Sequence, residues 1–422
     1  MKTKHVMLIL ILIYSTYVVV LYNTVSIPDT TTHKPSKAHG LRGVRSNSRM
    51  ENSSCTFCGT NIKELCPEGL SRTTEDLYCK MPPQFDKLYN NPCWRERSGN
   101  LSCLPYFMII GMPKCGTTDM MASLLNHPDI EPPVDKDGGI LKELHFFDAC
   151  HYKRECPYFA SFQDYVSYFR RVANVISNGQ KHAITGDATP GYLWRLYTWS
   201  YLPQNVNTET PKIILPNIIK HLLPDIKLII ILRDPVERAH SSFFFEHNDI
   251  AEPAEVFRST AYRSINQIKK CFRDKSETEC ILDGSFMLGS QVYHFLGSLY
   301  IYYIRQWMSI FPREQFLTIP FEDYLNNKTE VINKVLSFLN IRTFPTEELI
   351  RYQILKSTDR NMGTKARFIP IIEELRDFLY DFYQPYNELL YNYLKDFDFR
   401  WNKETFSTYK SRLEEELKRD TH

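Results

Sequence analysis

The stretch at residues 106–126, YFMIIGMPKCGTTDMMASLLN, constrains the fold more than any other. An apolar run from Tyr106 to Ile110 meets glycines at 111 and 116, and a helical pattern opens on Thr117 and Thr118. A buried strand turning tightly into a helix belongs to a mostly parallel sheet covered on both faces. Such a turn aims backbone N–H groups and the positive helix end at one point, which suits an anion. An ordinary strand-to-helix turn needs neither Lys114 inside the loop nor two threonines after it. A triphosphatase loop would read GxxxxGK[ST], whereas here Gly116 is followed directly by Thr117 and the lysine lies inside the loop. A lysine in that place suits a mononucleotide carrying phosphate and sulfate, because it neutralises charge on the bridging oxygen as the bond breaks.

From about Pro105 onward the texture is uniform. Short apolar runs at 226–232 and 316–319 alternate with helical periods at 331–339 and 371–383. With 43% hydrophobic residues, a large core is affordable. The formal charge of +2 excludes a globally basic polyanion binder, so anion binding must be local and no nucleic-acid partner is expected. In IIILRDPVERAHSS, at 229–242, a buried strand delivers Arg233 to the sheet edge and Pro235 opens a helix carrying Ser241. An arginine there points into the crevice where α/β folds bind ligands.

Upstream, Val6 to Tyr22 is uncharged and apolar, at the short end for a membrane span, and Lys2 and Lys4 precede it. An uncleaved signal anchor fits better than a cleaved signal peptide, because the run has no small-x-small end. Sequons at Asn52, Asn100 and Asn327 lie beyond it. Eleven cysteines, six of them between Cys55 and Cys103, indicate an oxidising compartment and disulfides rather than zinc. The expected organisation is a cytoplasmic tail (1–5), a transmembrane helix (6–22), a stem (23–54), a cysteine-rich cap (55–104), the main domain (105–402) and a charged tail (403–422). If Cys150 pairs with Cys156, Cys271 with Cys280, and the six N-terminal cysteines among themselves, one thiol is left over, and Cys115 is the expected one. A disulfide there would obstruct the anion loop.

The segment PKCGTTD resembles the 5′-phosphosulfate loop of sulfotransferases that use 3′-phosphoadenylyl sulfate (PAPS). The similarity extends over roughly residues 100 to 400, through CLPYF, LLNHPDI, LRDPVERAHSSF and DRNMG. It is strongest to the Golgi carbohydrate sulfotransferases that act on N-acetylgalactosamine 4-sulfate. The resemblance implies an α/β fold: a Rossmann-like parallel sheet with a P-loop-like phosphosulfate loop, preceded by a transmembrane helix and a disulfide-rich cap. It implies PAPS as donor substrate, held by Lys114, Cys115, Gly116, Thr117 and Thr118, with Arg233 and Ser241 on the 3′-phosphate. It implies no metal. The basic loop DRNMGTKARF would close over the nucleotide or acceptor through Arg360, Gly363, Lys365 and Arg367.

Sulfuryl transfer to a sugar hydroxyl needs a base. In KELHFFD, at 142–148, Glu143 falls on a family motif and is the expected base, with His145 orienting the acceptor and Phe146 and Phe147 in the core. Leu144, the paired phenylalanines and Ala188 depart from the galactosamine enzymes or from several heparan ones, so acceptor identity is less constrained than donor identity. The expected activity is transfer to a glycosaminoglycan, chondroitin or dermatan sulfate at the 6-O position, by a type II Golgi membrane protein. A heparan or protein-tyrosine acceptor, or a non-catalytic glycan-binding ectodomain, are the rivals, and a homodimer stays open. The aromatic run 378–393 is expected to be core.

Overall fold

The computed structural model describes residues 65–66, 75–152, 161–247, 250–289, 291–356, 369–395 and 399–401. The expected membrane segment, the stem, Cys55, Cys58, Cys156, the basic loop with Arg360, Gly363, Lys365 and Arg367, and the C-terminal tail lie outside these residues. Among the described residues no helix is long and apolar enough to cross a membrane.

Before the main sheet comes a hairpin of β1 (Cys93–Arg95) and β2 (Leu101–Cys103), with Cys93 opposite Cys103 and disulfide-bonded to it. The sheet contains β3 (Phe107–Gly111), β4 (Ile130–Glu131), β5 (Ile184–Asp187), β6 (Lys227–Leu232) and β7 (Phe316–Pro320). Its order is β4-β5-β3-β6-β7, and every pairing is parallel. The chain leaves β3 to build one side, then returns to build the other. Where the direction of winding reverses, adjoining connections part and a crevice opens at the carboxyl ends of the strands. The loop after β3 lies there, and so do the residues following β5, β6 and β7.

The sequence runs as expected for strands covered on both faces: all of β3 is buried, and Leu228 through Leu232 of β6 are fully enclosed. Helix α1 (Thr117–Leu124) follows β3, and α2 (Pro235–Glu246) follows β6. Asp234 caps α2, its Oδ1 accepting from Val236 N at 2.8 Å and Glu237 N at 3.2 Å, while Pro235 takes the first helical position. Later come α3 (Pro253–Asp274), α4 (Tyr300–Met308), α5 (Phe321–Asn326), α6 (Lys328–Phe338) and α7 (Glu373–Leu394). The aromatic run expected in the core lies on α7, where Leu379, Tyr380, Phe382, Tyr383 and Leu390 are buried and Tyr393 is exposed.

The cysteine-rich segment packs onto the sheet through polar contacts. Asn91 Oδ1 accepts from Thr185 N of β5 at 3.0 Å, and its Nδ2 donates to Leu104 O at 2.8 Å. Cys66–Cys79 and Cys271–Cys280 are bonded as pairs, Cys150 is disulfide-bonded, and Cys115 is a free, fully buried thiol.

One glycine makes the centre of the sheet possible. A Cβ on Gly186 would stand 2.3 Å from the Phe107 ring of the neighbouring strand. Gly186→Ala is expected to cost about 1–3 kcal/mol, as overpacked cores do. Urea denaturation should show a lower midpoint at unchanged slope; an unchanged midpoint would mean that the ring moves aside freely.

Candidate active site

The loop after β3 is anchored to the neighbouring strand, Met112 N donating to Ile231 O at 2.7 Å. Cys115 N closes a turn on Met112 O at 3.2 Å, so Cys115 shapes the loop while its thiol faces inward. Burial pushes that thiol up to about 12. Lys114 and Gly116 both have positive φ, 71° and 79°. Gly116 is constrained twice over, since a Cβ there would also meet the Phe321 ring at 2.4 Å. It caps α1 without a side-chain bond, leaving the first N–H groups of the helix for a ligand. Asp119 is turned away from the loop, accepting from Tyr324 Oη at 2.6 Å and Lys328 Nζ at 2.7 Å. Thr117 is buried and Thr118 half-buried at the helix start. The Lys114 amine rests 3.8 Å from the centre of the Phe245 ring, and burial followed by the charge of Arg233 pulls it down to about 8.

Arg233 leaves the end of β6 and reaches back to Lys114 O at 3.5 Å, with its guanidinium 5.4 Å from the Phe321 ring. Glu237, one turn into α2, sits 3.7 Å from Arg233 and accepts from Arg376 of α7 at 2.6 Å. Ser241 lies four residues further, on the same helical face as Glu237. Arg238, from the same motif, is buried and donates to Ser298 Oγ at 2.7 Å, so it belongs to the core.

The base cluster lies beside the loop, joined to it by Lys142 Nζ donating to Thr117 Oγ1 at 3.3 Å. Lys142 also pairs with Glu143, whose other oxygen is 3.3 Å from His145 Nε2. His145 Nδ1 contacts both oxygens of Asp148, at 3.1 and 3.2 Å. Burial disfavours charge on Glu143, but the His145 hydrogen bond and the Lys142 charge outweigh it and hold the carboxyl at about 2. Burial likewise opposes the His145 cation, yet Asp148 and Glu143 raise the imidazole to about 9. The pair is thus ionised at neutral pH, an imidazolium held between two carboxylates. Phe146 and Phe147 are buried, and Phe146 stacks on Tyr165 at 4.3 Å.

Asp187, at the end of β5, holds this segment from below. Its carboxylate is enclosed and accepts from Thr189 Oγ1 at 2.6 Å, Tyr192 Oη at 2.9 Å and Tyr165 Oη at 3.1 Å. The Thr189 hydroxyl oxygen accepts in turn from Leu144 N at 2.9 Å and His145 N at 3.2 Å, and Tyr192 Oη from Phe146 N at 3.2 Å. Three successive backbone donors around the positive φ of His145, 50°, thereby find acceptors. Burial lifts the Asp187 carboxyl to about 6, against the three hydroxyls that favour its anion.

An anion loop at a switch point, an arginine at the next strand end and a carboxylate–imidazolium pair beside the loop agree with what comparison with known proteins finds. The family model described as the sulfotransferase domain matches residues 104–367. The chain belongs to the sulfotransferase family. Human carbohydrate sulfotransferase 15 is 29% identical over 325 residues, covering 71% of this chain and 55% of the relative. The chain thus spans about half the length of that protein. A mouse bifunctional heparan sulfate N-deacetylase/N-sulfotransferase 4 is 24% identical over 88% of this chain and 39% of its own. Among solved structures, a sulfotransferase from Alicyclobacillus acidocaldarius is 20% identical at a TM-score of 0.41, over 69% of this chain and 96% of its own.

In this sulfotransferase the structure gathers Lys114, Gly116, Thr117, Thr118, Glu143, His145 and Arg233 around one crevice. The sequence reading did not find Asp148, Asp187, Thr189, Arg195, Glu237 or Arg376. A signal existed for Asp148, three residues after His145 in the HFFD segment. None existed for Asp187, because Thr189, through which it acts, lies 45 residues by chain from Leu144. Thr189→Val removes one hydroxyl and leaves two N–H groups and a carboxylate oxygen short of partners, for an expected loss of about 1–3 kcal/mol. Hydrogen exchange at Leu144 and His145 should accelerate in this variant and stay slow in Thr189→Ser; equal rates would show that other groups hold the segment.

Proposed function

We propose that this sulfotransferase moves a sulfuryl group from PAPS to a hydroxyl of a glycosaminoglycan. The observation that carries the reading is the contact from Lys142 to Thr117, which couples the Glu143 cluster directly to the anion loop. In the proposed reaction Glu143 takes the hydroxyl proton as the acceptor oxygen attacks sulfur. The bond from sulfur to the bridging phosphate oxygen breaks, and adenosine 3′,5′-bisphosphate leaves. Lys114 and the N–H groups opening α1 meet the charge gathering on the departing oxygen. Arg233 and Ser241 hold the 3′-phosphate, and Glu237 with Arg376 aims Arg233 until that phosphate arrives. A carboxylate held near 2 is a weak base while His145 and Lys142 both bind it. An arriving hydroxyl that displaces either partner strengthens the base where the proton must go.

The favoured acceptor is galactosamine in chondroitin or dermatan sulfate, at O6, on the likeness to human carbohydrate sulfotransferase 15. A heparan acceptor is the second reading, supported by the likeness to the mouse heparan sulfate enzyme. Placement in the Golgi membrane as a type II protein rests on the apolar run Val6 to Tyr22, the sequons and the disulfides.

Labelled PAPS offered with chondroitin, dermatan, heparan and peptide acceptors tests the reading. Label on heparan alone would replace the galactosamine acceptor, and label on none would favour a glycan-binding protein. Glu143→Gln should lower turnover by at least 10²-fold with little change in bisphosphate affinity; near-normal turnover removes Glu143 as the base. The pH profile of kcat/KM supplies an independent check. Activity should fall above about pH 8 as the Lys114 amine loses its proton. Lys114→Arg keeps its charge, so the fall should move to about 9, where His145 titrates. A limb unchanged by that substitution would assign it to another group.

A further inference from the structure

Two neighbouring side chains beside the base cluster hold polar donors that nothing fills. Arg195 follows the short helix Gly191–Trp194, and its buried Nε has no hydrogen-bond partner; the same is true of Trp194 Nε1. Arg195 Nη1 stands 3.7 Å from Asp148 Oδ2, an ionic contact beyond hydrogen-bond length. Among the described residues this guanidinium donates no hydrogen bond. A guanidinium offers five N–H donors in a planar fork; here Nε is enclosed, while a side chain 30% exposed leaves outer N–H groups within reach of a ligand.

The guanidinium carries donors only, so a ligand that completes it supplies acceptor oxygens. The Asp148 carboxylate is fully enclosed and lies beneath both His145 and Arg195, whose side chains are each 30% exposed. Gly191 permits this arrangement, since a Cβ there would stand 2.2 Å from Asp148 Oδ2 and 3.4 Å from Arg195 Cδ. Lys142, His145 and Arg195 interleave with Glu143, Asp148 and the deeper Asp187, and of these three cations Arg195 alone donates no hydrogen bond to a carboxylate among the described residues. The Trp194 ring lies 5.6 Å from the Arg195 guanidinium and stacks on Tyr293 at 6.1 Å and 17°. An aromatic backing of this kind steadies a guanidinium while leaving its edge for an anion.

We propose that Arg195 selects the acceptor by binding an anion it already carries, a sulfate or a carboxylate on the sugar being modified or on its neighbour. Both groups present the paired oxygens that the fork accepts two at a time. The inference rests on the glycan-transfer reading and refines it: Glu143 reads the hydroxyl, and Arg195 reads what lies beside it.

The test uses the full chain, as wild type, Arg195→Lys and Arg195→Ala. Acceptors are chondroitin 4-sulfate, desulfated chondroitin and carboxyl-reduced chondroitin 4-sulfate. The readout is the ratio of kcat/KM between acceptors for each protein, so damage to the His145–Asp148 pair cancels. Wild type should prefer the acceptor bearing the anion that Arg195 reads, and the desulfated and carboxyl-reduced arms identify which anion that is. Arg195→Ala should erase on the order of 10- to 100-fold of this preference, and Arg195→Lys, keeping charge without the fork, should fall between. Ratios equal to wild type in both variants would overturn the proposal. Equilibrium binding of the same three glycans, with adenosine 3′,5′-bisphosphate present, asks the question without turnover. A wild type that labels no glycan would sink the transfer reading. Arg195 would then stand or fall on whether binding loses the same preference.

Discussion

The carboxylate of Asp187 orders the acceptor side of the crevice. Because it is enclosed and anionic, the hydroxyls of Thr189, Tyr192 and Tyr165 must all give it their protons. Two of those oxygens are then obliged to act as acceptors on their other side, and the loop at 144–146 supplies three N–H groups in register. The direction of every bond in the network follows from one negative charge. The backbone that carries Glu143 and His145 is therefore fixed by hydrogen bonding rather than by apolar packing alone, which is sensitive to angle as well as distance.

Above that foundation the site is a concentration of charge within a chain whose formal net charge is only +2. Cations come from two strand ends and from the segments around Asp187: Lys114 after β3, Arg233 after β6, and Lys142, His145 and Arg195. Carboxylates interleave with most of them, while the Lys114 amine rests over the Phe245 ring. The pairs Arg233–Glu237 and His145–Glu143 have the same logic. An internal partner keeps a buried charge oriented at modest cost, and an incoming phosphate or hydroxyl exchanges with it.

Much of this was legible in the amino-acid sequence, for identifiable reasons. The strands β3, β6 and β7 are short apolar runs with no competing helical period, and the loop glycines and Pro235 mark where helices begin. Lys114 and Arg233 are found because each sits next to such a boundary. Glu143 and His145 needed family likeness, since they lie in irregular chain leading into a single π-helical turn, Phe146–Cys150, and carry no sequence period of their own. Asp187 and Arg195 escaped because their roles arise where β5 and the helix after it approach the 142–148 segment. Ala188, which marked a departure from relatives, is fully buried and holds Lys142 O through its backbone N–H at 3.2 Å.

The enclosed thiol of Cys115 bears on how the chain reaches this state. A thiol attacks disulfides only as an accessible thiolate. In an unfolded chain with eleven cysteines, an unpaired one can shuffle every bond the others form. Once the loop closes between β3 and α1, the sulfur is shut away and its ionisation suppressed. Completion of the anion loop thus also withdraws the Cys115 thiol from disulfide exchange, so closing the donor site protects the covalent framework from this sulfur.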